Sequence, residues 1–316
     1  MEPLRYVIAL GGNAIIPTGQ KGTYLEQYQI TKATMNQVAE LAGEGHGVVV
    51  THGNGPVVGN IFLRNDAGRS VYGIPPMPLF VCGADSQGGL GYMIQQNLQN
   101  AVMLQGLDIP VATVVTQVLV DRDDPAFQNP TKPIGPFYDE QTARRLEQEF
   151  GWTIKDDAGR GWRRVVPSPM PRRVVEAEVI KRMISAGVLV VACGGGGVPV
   201  VKCEQDKIEG IDAVIDKDLA SELLSELVGA DVFVVVTQVA KVCRGFGTPA
   251  QTDLDVITAD EARTMLAAGE FPAGSMGPKI ESAIRFLEAG GREVVITDPE
   301  HLLLAVRGGA GTRIVP

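Results

Sequence analysis

The sequence predicts an α/β fold built on a central, mainly parallel sheet. Three observations predict it. Short β-branched runs alternate with longer helical patterns along the 316 residues. The runs are apolar throughout rather than alternating, as expected of strands buried on both faces. Several of them end directly in glycine, where open parallel sheets place their ligand-binding turns.

Taken in order, YVIAL at 6–10 reads as the first buried strand. A helical pattern over about 23–42 follows and stops at Gly43 and Gly45. GVVVTHG at 47–53 is a second strand and LFVC at 79–82 is read as a third. A long helix is placed near 86–105, then PVATVVTQVLV at 110–120 as a further strand. GVLVVACGGGG (187–197), DVFVVVTQV (231–239) and REVVITD (292–298) each follow a helical stretch. Residues 121–173 break the rhythm. They are rich in proline and charge and hold both tryptophans, so they read as a subdomain inserted in an α/β body.

Apolar residues make up 45% of the chain and charged residues 21%, an ordinary globular balance. A net charge of −9 with a pI near 5.0 argues against general binding to nucleic acid or anionic membrane. Cys82, Cys193, Cys203 and Cys243 form no CxxC pair and no Cys/His zinc pattern. With no signal-peptide anatomy and no membrane-length apolar stretch, the expectation is a soluble, cytoplasmic protein with reduced thiols.

The glycine turns carry the first chemical signal. They are Gly11-Gly12-Asn13, Gly53-Asn54-Gly55 and Gly194 to Gly197. Glycine lets backbone amides approach a phosphate closely, and repeated placement at strand ends points to an anion site. The chain has no Gly-Lys-Ser/Thr tripeptide, so it is not a Walker A protein, and neither glycine run satisfies the dinucleotide fingerprint.

Lysines carry the second. Lys217, in AVIDKDLASELLSEL (213–227), and Lys279, after Pro278 in GSMGPKIESAIRF, both stand at predicted helix starts. A cation there is disfavoured by roughly a few tenths of a kcal/mol unless an anion is bound. Lys132 is fixed between two prolines in NPTKPIG. Lysines and glycine-rich backbone are the materials of phosphoryl transfer, which needs alignment and positive charge more than covalent help. Asp216 and Asp218 flank Lys217. They could orient lysines, help hold Mg²⁺, or cap the helix.

VIALGGNAI, THGNGPVVGN, QVLVDRDDPAFQNPTKPIGPF, KDDAGRGWRRVVPSP, CGGGGVPVV, AVIDKDLASELL and GSMGPKIESAIRF resemble the motifs of carbamate kinases, a branch of the amino-acid kinase fold. They occur in the family's order from residue 7 to residue 286. The resemblance implies one three-layer α/β/α sandwich domain over 1–316, with a central mainly parallel sheet and 121–173 as a protruding subdomain. It implies a homodimer that reversibly transfers phosphate between ATP and carbamate, with Mg²⁺ bound to the ATP or ADP. In catabolism the useful direction makes ATP from carbamoyl phosphate and Mg-ADP.

By motif, Gly11, Gly12, Asn13, Gly53, Asn54 and Gly55 are implied to line the carbamoyl phosphate side. Lys132 would reach in from the subdomain, Lys217 would bind the transferring phosphoryl, and Asp218 would organise the lysines; because Lys132 must come close to the substrate, the 121–173 segment is expected to move as a lid. Gly195, Gly196, Asp216, Thr237, Met276, Pro278 and Lys279 are implied on the nucleotide side, and no residue is assigned as a metal ligand. The sequence departs from the family at Val57, usually Gln, at Ser86-Gln87-Gly88, and at VTQVAKV (236–242) beside the expected adenine. An amino-acid carboxylate as acceptor is the alternative on the same fold, and NPTKPIG argues against it.

Overall fold

The apolar runs at 6–10, 47–53, 187–197, 231–239 and 292–298 all supply strands to one sheet. The computed structural model describes residues 2–16, 22–157, 159, 161–272 and 274–316. The chain begins β1 (Arg5–Leu10), α1 (Tyr24–Gly43), β2 (Gly47–His52), α2 (Gly55–Tyr72), α3 (Leu79–Leu104), β3 (Val111–Thr113) and β4 (Gln117–Val120). Next come β5 (Lys132–Tyr138), α4 (Glu140–Phe150), β6 (Ile154–Asp156), β7 (Trp162–Val166), β8 (Pro171–Val174), α5 (Ala177–Ser185), β9 (Leu189–Val191), β10 (Val198–Lys202) and β11 (Ile208–Gly210). The remainder is α6 (Lys217–Val228), β12 (Val232–Val236), β13 (Cys243–Arg244), β14 (Thr252–Asp253), β15 (Val256–Thr258), α7 (Ala259–Ala267), α8 (Met276–Glu288), β16 (Glu293–Thr297), α9 (Leu302–Val306) and β17 (Thr312–Val315).

The main sheet has the order β15-β17-β16-β12-β1-β2-β9-β3. Every neighbouring pair is parallel except β16 and β17. Alternate residues of each strand feed opposite cores. Val7, Val49, Val190, Phe233 and Val294 pack with α5, α6, α7 and α8 on one face. Ile8, Val50, Val191, Val234 and Val295 pack with α1, α3 and α9 on the other. This is the expected three-layer sandwich, and burial on both faces is why the strands read as continuous apolar runs. β1 lies between β2 and β12, so the chain order reverses there, and the carboxyl ends of these strands form the crevice.

Two strand expectations are corrected. LFVC at 79–82 is the first turn of α3, not a strand. Leu79, Cys82, Ser86 and Leu90 are buried at helical spacing. The helix starts early because Asp212, distant in sequence, accepts hydrogen bonds from the Leu79 and Phe80 amides at 2.9 and 3.4 Å. The run at 110–120 splits into β3 and β4, which belong to different sheets. Gln87 causes the break. Its side chain accepts from the Thr116 amide and donates to the Thr116 carbonyl, both at 2.9 Å, so the amide leaves the ladder while the carbonyl also accepts from the Val198 amide.

Within the segment from 121 to 173, β5, β7 and β6 form an antiparallel sheet of their own. β8 returns to a second small sheet, β11-β10-β4-β8. Ile134 of β5 and Val166 of β7 enter an apolar cluster with Val58 of α2, Leu79 and Cys82 of α3, and Val214. That cluster attaches the three-stranded sheet to the body.

Glu222 of α6 is buried at 7% exposure. Burial raises its pKa from 4.5 to about 7; Glu226 and Glu281 add to this and Arg285 opposes it. The native state therefore keeps a proton that the unfolded chain releases between those values. Stability falls as pH rises from about 4.5 to 7 and then levels. Glu222→Gln is expected to flatten that fall and to be the more stable protein at pH 8, by roughly 1–3 kcal/mol. Urea unfolding at pH 5 and pH 8 measures it, and parallel losses in both proteins would refute it.

Candidate active site

Three loops meet at the crevice. Gly11 donates to Val236 O at 2.8 Å and Gly53 donates to Leu10 O at 2.8 Å, so the turns extend the parallel ladder beyond the strand ends. Gly12, Gly53, Asn54 and Gly55 line one wall of a first cavity. Gly11 does not reach it. Its place is structural, because a Cβ there would sit 2.9 Å from Val236 O. The side chain of Asn13 lies outside the described residues.

Asn54 precedes α2 without a side-chain cap. Its amide instead donates to Ser86 Oγ at 3.0 Å, and Ser86 Oγ donates to Gly83 O at 2.6 Å. The first amides of α2 are thus left for a ligand, and the helix dipole adds to the attraction for an anion. α8 also begins without a side-chain cap, at Ser275. Gly195 lies against Asn54: its φ is +66°, and a Cβ would be 2.2 Å from Asn54 Nδ2. No residue with a side chain fits that position.

α6 supplies the charged centre. Asp216 caps it, accepting from the Asp218 amide at 2.9 Å through Oδ1. Its Oδ2 accepts from Lys132 Nζ at 2.6 Å, across 84 residues of sequence. Asp218, 3% exposed, accepts from Lys217 Nζ at 2.7 Å and from Lys279 Nζ at 3.0 Å, one on each oxygen. One carboxylate therefore orients lysines from the starts of two helices, and its neighbour holds the lysine from β5. Sequence reasoning allowed either aspartate to orient lysines and the resemblance favoured Asp218; that Asp216 pairs with Lys132 had no signal in the sequence.

The electrostatics follow from this crowding. Burial alone would raise the Asp218 carboxyl, but Lys217 and Lys279 outweigh it and hold the pKa at about 2. Lys217 is shifted down from its usual value, first by burial and further by Lys279, against the pull of Asp218 and Asp216. The wall carries the ammonium groups of Lys132, Lys217 and Lys279 against the carboxylates of Asp216 and Asp218, a positive excess that an anion would relieve. His52 is fully buried behind the turn, where burial lowers its pKa to about 4, so it adds no charge at neutral pH.

A second cavity adjoins the first, and Gly274, Ser275 and Lys279 line both. Thr237 and Met276 line this second cavity, whereas Pro278, Asp216 and Gly195 line the first. Gly196 lines neither; its φ of +89° and its packing against Ile215 O give it a backbone role. Sequence reasoning missed much of the second wall, including Cys243, Phe246, Glu270 and Phe271. Cys243 opens the two-residue strand β13 and the others lie in loops, with no periodicity to mark them, and only the fold gathers them. Gln238 and Val239, in the segment that departs from the family text, also line this cavity.

Comparison with known proteins agrees with this geometry. The model of the amino acid kinase family matches residues 5–298. A carbamate kinase of Pyrococcus horikoshii is 52% identical over 314 residues, covering 99% of this chain and all of that one. A carbamate kinase of Pyrococcus furiosus is 52% identical over 312 residues, covering 99% of each. The structure of carbamate kinase from Giardia lamblia bound to AMP-PNP matches with a TM-score of 0.91 at 43% identity, over 99% of both chains. The chain belongs to the amino acid kinase family and, within it, to the carbamate kinases.

Proposed function

We propose that the enzyme transfers a phosphoryl group reversibly between ATP and carbamate, and that it works toward ATP from carbamoyl phosphate and Mg-ADP. The observation that carries this is the junction at Lys279. A cavity walled by lysines and glycine backbone meets a second, less charged cavity there, and Lys279 belongs to both. Two substrates bound on either side would face each other across that lysine, as in-line transfer requires.

The acyl phosphate lies against Gly12, Gly53 and Gly55; the amides of Gly12 and Gly55 neutralise its oxygens, while the Gly53 amide is held by Leu10 O. Lys217 binds the phosphoryl in flight, Lys279 guides it toward the nucleotide, and Lys132 covers it from the subdomain. Asp218 and Asp216 position these ammonium groups. The nucleotide base sits between Thr237 and Met276, with Phe246 and Phe271 as apolar walls. Mg²⁺ would come as part of the Mg-nucleotide substrate, held on the nucleotide phosphates. The donor set suits that arrangement, since both central carboxylates already hold lysines and lysines suit phosphate oxygens. When bound, the ion neutralises charge on the phosphates.

We assign the body to one domain, with the 121–173 segment acting as a lid that carries Lys132. The working form is a homodimer in the cytoplasm that binds no nucleic acid. The acidic net charge of −9 supports the last point. No described helix is long and apolar enough to cross a membrane. Exposed Tyr92, Met103 and Leu104 on α3 offer apolar surface for a second copy.

A coupled assay tests the activity. The purified protein is expected to make ATP from carbamoyl phosphate and Mg-ADP, and to use acetylglutamate or aspartate poorly as acceptors of the ATP phosphate. No ATP formation with carbamoyl phosphate would overturn the proposal.

A further inference from the structure

We infer that Gly59 and Gly135 form the seat that sets how far Lys132 reaches, making both positioning residues for phosphoryl transfer. The inference rests on the role proposed above for Lys132. Gly59 lies within α2, whose start forms part of the substrate wall, and it is buried. Gly135 lies in β5, three residues after Lys132. A Cβ at Gly59 would stand 2.7 Å from Gly135 Cα and 2.8 Å from its nitrogen. Both are backbone atoms, so no side-chain rotation relieves the overlap. Carbon atoms pack comfortably at about 3.5–4.0 Å, so one methyl group at Gly59 would push β5 away by roughly 1 Å.

Gly135 is suited to the same contact. Its φ of +71° is left-handed, and the pairing of β5 with β7 loses register between Ile134 and Tyr138. The kink turns backbone, rather than a side chain, toward α2. Arg163 of β7 fixes it, donating to Gly135 O from Nε at 3.2 Å and from Nη2 at 2.9 Å. On the Lys132 side of the kink, Ile134 is buried against Val58 of α2, and Lys132 Nζ meets Asp216 at 2.6 Å. With the segment closed on α2, the Lys132–Asp216 distance is thus set by two backbones in contact, a stiffer device than side-chain packing. A displacement of this size near the reacting groups can cost about a hundredfold in rate.

Gly59→Ala tests this. We expect kcat for ATP formation to fall on the order of a hundredfold, with the KM for Mg-ADP unchanged because no residue of α2 lines the nucleotide cavity. Gly68→Ala, in the same helix, is the control: a methyl there meets only Ile74 at 3.9 Å, and activity should not change. In a Lys132→Ala background, Gly59→Ala should lower kcat no further, since its effect passes through that lysine. A readout independent of activity is labelling of Lys132 by acetic anhydride, measured by mass spectrometry without substrates. Its rate relative to Lys217 should rise severalfold in Gly59→Ala. Should that variant not fold, Arg163→Met, which frees Gly135 O without adding volume at the contact, should raise the labelling in the same way. Wild-type kcat in Gly59→Ala, a full additive loss in the Lys132→Ala background, or unchanged labelling would each overturn the inference. A wild-type protein that makes no ATP but shows the labelling change would instead refute the proposed reaction and leave the seat standing.

Discussion

Replacing Lys217 by alanine is expected to cut kcat for ATP formation by roughly a hundred- to a thousandfold or more, the usual cost of losing one well-placed transition-state donor. The side chain is only 12% exposed and stands at the first position of α6, where the helix dipole already disfavours a cation. Burial lowers its pKa further, with Lys279 acting in the same direction. Such a lysine is poorly placed for stability and well placed for an anion, which would favour its charged form. The KM for carbamoyl phosphate should rise less than kcat falls, because the lysine serves the group in transit more than the bound substrate. Steady-state kinetics with circular dichroism as a folding check measures this. Wild-type turnover in a folded Lys217→Ala protein would remove Lys217 from the mechanism.

The second large effect is on stability. Asp218→Asn leaves Lys217 and Lys279 without their shared carboxylate, and breaking a buried charge arrangement of this kind costs about 3–5 kcal/mol. Because the native pKa of Asp218 is depressed to about 2, its contribution is present above the unfolded value, near 3.8, and is lost as pH falls through that window. Asp218→Asn should therefore unfold at lower urea than wild type at pH 7, with the gap narrowing toward pH 2. Inorganic phosphate should narrow the gap at pH 7 as well, by supplying the missing negative charge to the lysines. Catalysis should also be largely lost, as the ammonium groups would no longer be oriented. Equal urea midpoints at pH 7 would show that the pairing contributes nothing.

The sequence alone carried the sheet and the chemistry class. Strands buried on both faces must be apolar at every position, so β1, β2, β9, β12 and β16 were legible as runs. Glycines at their ends and lysines at helix starts are local features tied to backbone geometry, so the residues that line the first cavity were legible too. The errors arose where a distant residue overruled local pattern. Asp212 capped α3 from far along the chain and turned an apolar run into helix. Gln87 divided the run at 110–120 by taking the Thr116 amide and sharing its carbonyl with Val198.

What only the tertiary structure decided is who meets whom at the centre. Motif text could nominate Lys132, Lys217, Lys279, Asp216 and Asp218, but their pairing is set by which helix start faces which carboxylate oxygen. AVIDKDLASELLSEL shows a lysine between two aspartates. Folded, the two carboxylates diverge: Asp218 takes Lys217 and Lys279, while Asp216 takes Lys132 from the inserted segment. The second cavity's walls come from loops that converge only in three dimensions. The seat at Gly59 and Gly135 likewise depends on two glycines 76 positions apart in the chain. Local sequence determines backbone conformation and burial pattern, because those depend on neighbours within a few residues. Charge pairing and close backbone contact depend on distances across the fold, which no local pattern encodes.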